Sequence, residues 1–94
     1  KDKEDNINKA VAAYSKVLEI QEIEKFHLRY SEVQYKLGLC YLELAGLKDS
    51  EQNAKKAQEC FDEALRVYTE EGYSTLYEQA AKAKEQVLSS FLDV

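Results

Sequence analysis

Apolar residues recur at helical spacing in four segments of the chain, and no segment shows the strict alternation of a half-buried strand. The first segment runs from about Asp5 to Glu24, with Ile7, Ala10, Ala13, Tyr14, Val17 and Leu18 on one stripe. The second runs from about Leu28 to Ala45 and uses Tyr30, Val33, Leu37, Cys40, Tyr41 and Leu44. The third, about Glu51 to Glu71, uses Ala54, Ala57, Phe61, Ala64, Leu65 and Tyr68; the fourth, about Ser74 to Leu92, uses Leu76, Tyr77, Ala80, Val87, Leu88 and Phe91. The run "GLKDSEQ" breaks the pattern between the second and third segments. Gly46 is placed there to end one helix, and Asp49 or Ser50 to cap the next. Gly72 ends the third segment.

The second segment is apolar on more than one side. Tyr35, Leu39 and Leu42 lie off the stripe of Val33, Leu37, Cys40 and Tyr41, and Gly38 sits in the middle of the helix at a propensity cost of about 1 kcal/mol relative to alanine. A helix flanked by neighbours on two sides needs two apolar faces, and a glycine lets one neighbour, helix one or helix three, come close. A displacement of 47 residues aligns Ala10 with Ala57, Tyr14 with Phe61, Leu18 with Leu65, Phe26 with Tyr73 and Tyr30 with Tyr77. Only seven of the 44 aligned pairs are identical, so the signal lies in the apolar and aromatic positions, which keep phase through a helix, a connection and a second helix. The pattern predicts an all-α solenoid of two antiparallel helical hairpins, units of about 4–50 and 51–94, in one domain. A closed four-helix bundle is the competing arrangement.

Composition agrees with helices and narrows the partners. The 94 residues include no proline and three glycines, and 45% are hydrophobic, enough for a single packed core. The net charge is −5, from 18 acidic and 13 basic residues. With no basic run or stripe, neither nucleic acid nor an anionic membrane is an expected partner. No apolar run approaches the roughly 18–20 residues of a membrane span. The chain begins with Lys and contains no Met, so a piece of a longer protein is expected. A cytoplasmic setting is favoured over a secreted one. Cys40 and Cys60 sit among apolar residues and read as small core side chains, with a disulfide possible but not needed. Their spacing, with His27 the lone histidine, does not suit zinc, and no metal or cofactor is expected.

The residues Leu37-Gly38 followed by Tyr41, then Ala57, Phe61 and Ala64-Leu65 on the following helix, resemble the signature of the tetratricopeptide repeat. Ala10, Tyr14, Val17 and Leu18 look like the second helix of a preceding repeat. The resemblance covers nearly the whole chain, and the segment around "EALRVYTEE" is similar to long-helix microbial variants of that family. Two departures stand out: a period of 47 residues rather than about 34, and Lys84-Glu85 where Leu-Gly is expected. The second departure implies a degenerate unit or a solvent-facing cap. By resemblance the first helix of each repeat lines a concave groove, which here implies a partner-binding set of Glu32, Tyr35, Lys36, Leu39, Leu42 and Glu43 with Lys82, Gln86 and Ser89. The family's carboxylate clamp needs Lys and Asn where this chain has Tyr35 and Leu39, so recognition of a chaperone's C-terminal peptide is not implied. A peptide or helix with an apolar anchor fits better.

Catalytic chemistry has little to draw on. His27 has no nucleophile at a recognisable spacing, Glu70-Glu71 reads as a solvated helix end, and no phosphate-binding or dinucleotide motif is present. Tyr14, Tyr30, Tyr41, Tyr68 and Tyr77 fall on core stripes and read as packing. The sequence therefore predicts a protein–protein interaction module, not an enzyme. The alternatives are a homo-oligomer formed through open solenoid ends, and the peptide-sensing segment of a helical regulator.

Overall fold

In the computed structural model, residues 2–20 and 27–92 are described, with side chains for 3–19, 29–69 and 72–91. The expected end of the first helix near Glu24, the place of Phe26, and the surroundings of the His27, Glu70 and Glu71 side chains lie outside those residues. Four helices follow in order: α1 (Asp2–Ile20), α2 (His27–Ala45), α3 (Ser50–Glu71) and α4 (Ser74–Val87), the last running into a π-helical turn, Leu88–Leu92. The described residues contain no strand.

Packing runs from neighbour to neighbour: α1 on α2, α2 on α3, α3 on α4, with α2 also touching α4. A closed bundle would seat α1 firmly against α4, and among the described residues that packing is missing, so the protein is an all-α stack of two helical hairpins. The dimensions agree. The molecule measures 36 × 30 × 17 Å, the long axis matching the 22-residue α3 at about 1.5 Å per residue, and the short one leaving room for two layers of helices about 8–10 Å apart. Its accessible surface of 6070 Å² exceeds the roughly 5,500 Å² expected of a compact monomer of this mass.

The core is built on α3. Ala54, Ala57, Phe61, Ala64, Val67 and Tyr68 are buried, a continuous run of third and fourth neighbours that presents one face to α2 and α4. Gly38 is what lets α2 meet that face. A β-carbon there would stand 2.5 Å from Cε1 of Phe61, which identifies α3 as the helix that the glycine admits. Leu37 and Leu44 are buried, and Val33, Tyr35, Leu39, Cys40, Tyr41 and Leu42 half-buried, so both apolar faces of α2 are in use.

Several expectations need correction. On α1 only Ile7 is buried among the described side chains; Ala10, Tyr14 and Leu18 are half-buried, while Ala13 and Val17 are exposed, because α2 covers one side of this helix and no described residue covers the next. Tyr77 is not a core residue but 41% exposed, since α4 turns Ala80, Ala83 and Val87 inward instead. Gly46 does not adopt a left-handed conformation; positive φ occurs at Gly72 (80°) and Asp49 (46°). The chain leaves α2 through turn bonds, Gly46 N–H to Glu43 O and both Leu47 and Lys48 N–H to Leu44 O. Asp49 holds the N-cap position of α3 without a side-chain capping bond. The joint uses its polar side chains backward instead: Ser50 Oγ donates to Ala45 O at 2.6 Å and Asn53 Nδ2 to Lys48 O at 2.9 Å, satisfying carbonyls at the end of α2 and in the joint.

Candidate functional site

The exposed strip of α2 carries Glu32, Lys36 and Glu43, spaced so that all three share one side of the helix. Half-buried apolar residues border it on both flanks: Tyr35, Leu39 and Leu42 on one, Val33 and Cys40 on the other. The result is a charged line along the outer side of the central helix, bordered on each side by half-buried apolar residues. Tyr35, Leu39 and Leu42 pack against the buried cluster of Ala54, Ala57, Phe61, Ala83 and Val87, and Tyr35 meets the Phe61 ring at 5.9 Å between centroids. They are therefore inter-helix residues with an open edge, not free anchors. Glu43 leans to the other side, 3.9 Å from Lys3 Nζ of α1.

Lys82, Gln86 and Ser89 lie elsewhere. Together with Glu85 and Leu88 they line a depression of about 590 Å³ on α4 and the π-helical turn that follows it. The displacement of 47 residues makes the separation intelligible, because it carries Tyr35, Leu39 and Leu42 onto Lys82, Gln86 and Ser89. In the first unit these positions meet the following hairpin and are apolar; in the second they are exposed and polar. Likewise buried Gly38 corresponds to exposed Glu85. Lys84 is half-buried and ion-paired at 2.5 Å to Asp62 of α3, so the pair that replaces Leu-Gly is partly an inter-helix bond and partly solvated surface.

Polar contacts hold α2 in place against its neighbours. Tyr30 of α2 donates to Glu63 Oε1 of α3 at 3.0 Å and accepts from Gln34 Nε2 at 3.2 Å, and Arg66 donates to the same carboxylate oxygen. The Arg66 bond, with a smaller contribution from Tyr30, draws the Glu63 carboxyl below its ordinary value against the opposing effect of burial. Lys48 to Glu4, at 3.1 Å, ties the α2–α3 joint to α1, and Lys56 stands 5.5 Å from the centroid of the Tyr41 ring. Sequence reasoning missed Ser31, which is fully buried and hydrogen-bonds the Tyr68 phenol.

Cys40 and Cys60 are free thiols. Burial pushes the Cys60 thiol up to about 12, with smaller contributions from Glu59 and Cys40, and raises Cys40 as well. Both are therefore thiols at neutral pH, unsuited to nucleophilic attack. Among the described residues no group of three or more His, Cys, Asp or Glu stands together as a metal site, and no helix is long and apolar enough to cross a membrane.

A second notch, of about 300 Å³, opens at the elbow between α3 and α4, lined by Tyr68, Thr69, Gly72, Ser74 and Tyr77. The signal for it in the sequence is a clustering of tyrosines around a glycine turn, in "VYTEEGYSTLYE". No family model matches the chain, and no curated protein or solved structure is significantly similar to it.

Proposed function

We propose that this chain is a protein–protein interaction module, a tetratricopeptide-like scaffold or adaptor that receives a peptide or helix of a partner along α2. The observation that carries the reading is the outer surface of α2: an exposed line of Glu32, Lys36 and Glu43 between two half-buried apolar flanks. Such a surface gives a partner apolar edges for affinity and alternating charges for orientation. The packing of α2 on the α3 core, the Tyr30–Glu63 hydrogen bond near one end and the Lys3–Glu43 and Lys48–Glu4 ion pairs near the other keep this surface formed before the partner arrives, which limits the ordering cost of binding.

The test begins with peptides selected from a random display library on the immobilised protein, followed by amide chemical-shift mapping. The reading expects shifts gathered on Glu32, Tyr35, Lys36, Leu39 and Glu43, and binding weakened at least about tenfold by Lys36→Glu with Glu43→Lys, two exposed positions whose exchange leaves the fold intact. Peptides that map elsewhere, or that ignore the charge reversal, sink it.

Self-association is the second reading, and the uncovered side of α1 favours it: Val17 is 36% exposed and Ala13 is exposed beside it. Sedimentation equilibrium over a wide concentration range decides. A wild type that dimerises while Val17→Glu stays monomeric supports it, and a wild type that stays monomeric removes it.

A further inference from the structure

The elbow notch has a chemistry of its own. Tyr68, 2% exposed, forms its floor. That ring is fixed by the Ser31 hydrogen bond and by an edge-on contact with Tyr73, 6.4 Å between centroids at 87°. Tyr77, 41% exposed, supplies the outer wall. Gly72, left-handed at φ 80° with its N–H bonded to Tyr68 O, turns the chain sharply, and the space where its side chain would stand is open. The lining residues are Tyr68, Thr69, Gly72, Ser74 and Tyr77, so the accessible aromatic surface is that of Tyr77, and Thr69, Ser74 and Tyr77 are the residues that bring hydroxyls to the rim. Among the described residues the lining includes no cationic side chain. Residues 67–81 contain Glu70, Glu71 and Glu78 and neither Lys nor Arg.

Aromatic faces attract cations, hydroxyl oxygens accept hydrogen bonds, and an acidic stretch of chain raises the local concentration of positive charge. Those three features select among cations. An ammonium is compact and strongly hydrated, whereas a guanidinium is planar, weakly hydrated and stacks on aromatic rings while its edge N–H groups donate. We propose that the elbow notch binds the guanidinium of an arginine side chain presented by a partner polypeptide. The site is separate from the charged surface of α2 and does not depend on it.

The probe is the peptide acetyl-Gly-Arg-Gly-amide, titrated into the protein and followed by amide shifts. Two control peptides replace arginine by citrulline, its neutral isostere, or by lysine. The expected result is saturable shifts at Thr69, Gly72, Ser74 and Tyr77, with the citrulline and lysine peptides each at least about fivefold weaker. Binding should weaken as salt is raised. Because Tyr77 is exposed, Tyr77→Phe and Tyr77→Leu leave the fold intact, which unchanged shifts elsewhere verify. The Phe variant should retain binding, and the Leu variant should lose about fivefold, the size of one cation–π contact. An equal response to citrulline makes the notch merely apolar and overturns the proposal. So does an equal response to lysine, a pattern spread over the acidic surface and indifferent to Tyr77→Leu, or the absence of saturation.

Discussion

A β-carbon at position 38 would sit 2.5 Å from Cε1 and 2.7 Å from Cδ1 of the Phe61 ring, and that ring is fully buried. Gly38→Ala therefore gains helix propensity worth about 1 kcal/mol but must displace a ring packed on every side, an overpacking cost of about 1–3 kcal/mol. The expected net is a loss of about 1 kcal/mol, read as a fall of about 4–8 °C in Tm. Phe61→Leu should cost less when combined with Gly38→Ala than alone, and a double-mutant cycle measures that coupling. Thiol reactivity is a second residue-scale test. Burial holds Cys60 at about 12, so iodoacetamide at neutral pH should leave it unmodified in the folded protein. The half-buried Cys40 should react first and slowly, and urea should expose both; peptide mass mapping distinguishes the sites.

Among the elements, α3 is the most legible in the sequence and α1 the least, for one physical reason. Helix α3 meets neighbours on both sides of its apolar face, so periodicity and burial coincide from Ala54 to Tyr68. Helix α1 has the same periodicity, yet Ala13 and Val17 remain in water because amphipathicity records what a helix can bury, not what is there to cover it. The joint after α2 misleads for a comparable reason: glycine at position 46 marks a turn, but the left-handed residue is Asp49, a type that tolerates that conformation better than most. The site is legible in composition more than in place. The repeat pattern gathers nine residues into one groove, whereas Lys82, Gln86 and Ser89 occupy the second unit's version of the positions held by Tyr35, Leu39 and Leu42. The α2–α3 pair also predicts a pH effect. The folded-state value of Glu63 lies below the ordinary 4.5, so its contribution is present above about pH 4.5 and lost as pH falls through the lower folded value. Urea midpoints of the wild type and Glu63→Gln should therefore differ at pH 6 and converge in acid. The gap should stay below about 1 kcal/mol, because the pair is partly exposed and screened.

For the molecule as a whole, stability is graded along the stack. Amide hydrogen exchange should be slowest in α3, intermediate in α2 and α4, and fastest in α1, which is held by Ile7, a few half-buried contacts and exposed ion pairs. Equal protection in α1 and α3 would mean a single cooperative unit and would contradict the open packing. The two outer faces of the stack also differ in kind. Beyond α4 lies a polar surface with Lys82, Glu85, Gln86 and Ser89; beyond α1 lie Ala13 and Val17.

A builder who wished to lengthen this protein would find that difference decisive. Grafting another hairpin against α1 can start from Ala13 and Val17, apolar side chains already exposed there. Grafting one against α4 requires first repainting Lys82, Gln86 and Ser89 with the Tyr, Leu and Leu that the first unit carries in their places. The stack thus has a grain, like a brick with one glazed end: extension is cheap in one direction, and in the other it awaits three substitutions that the molecule itself already spells out.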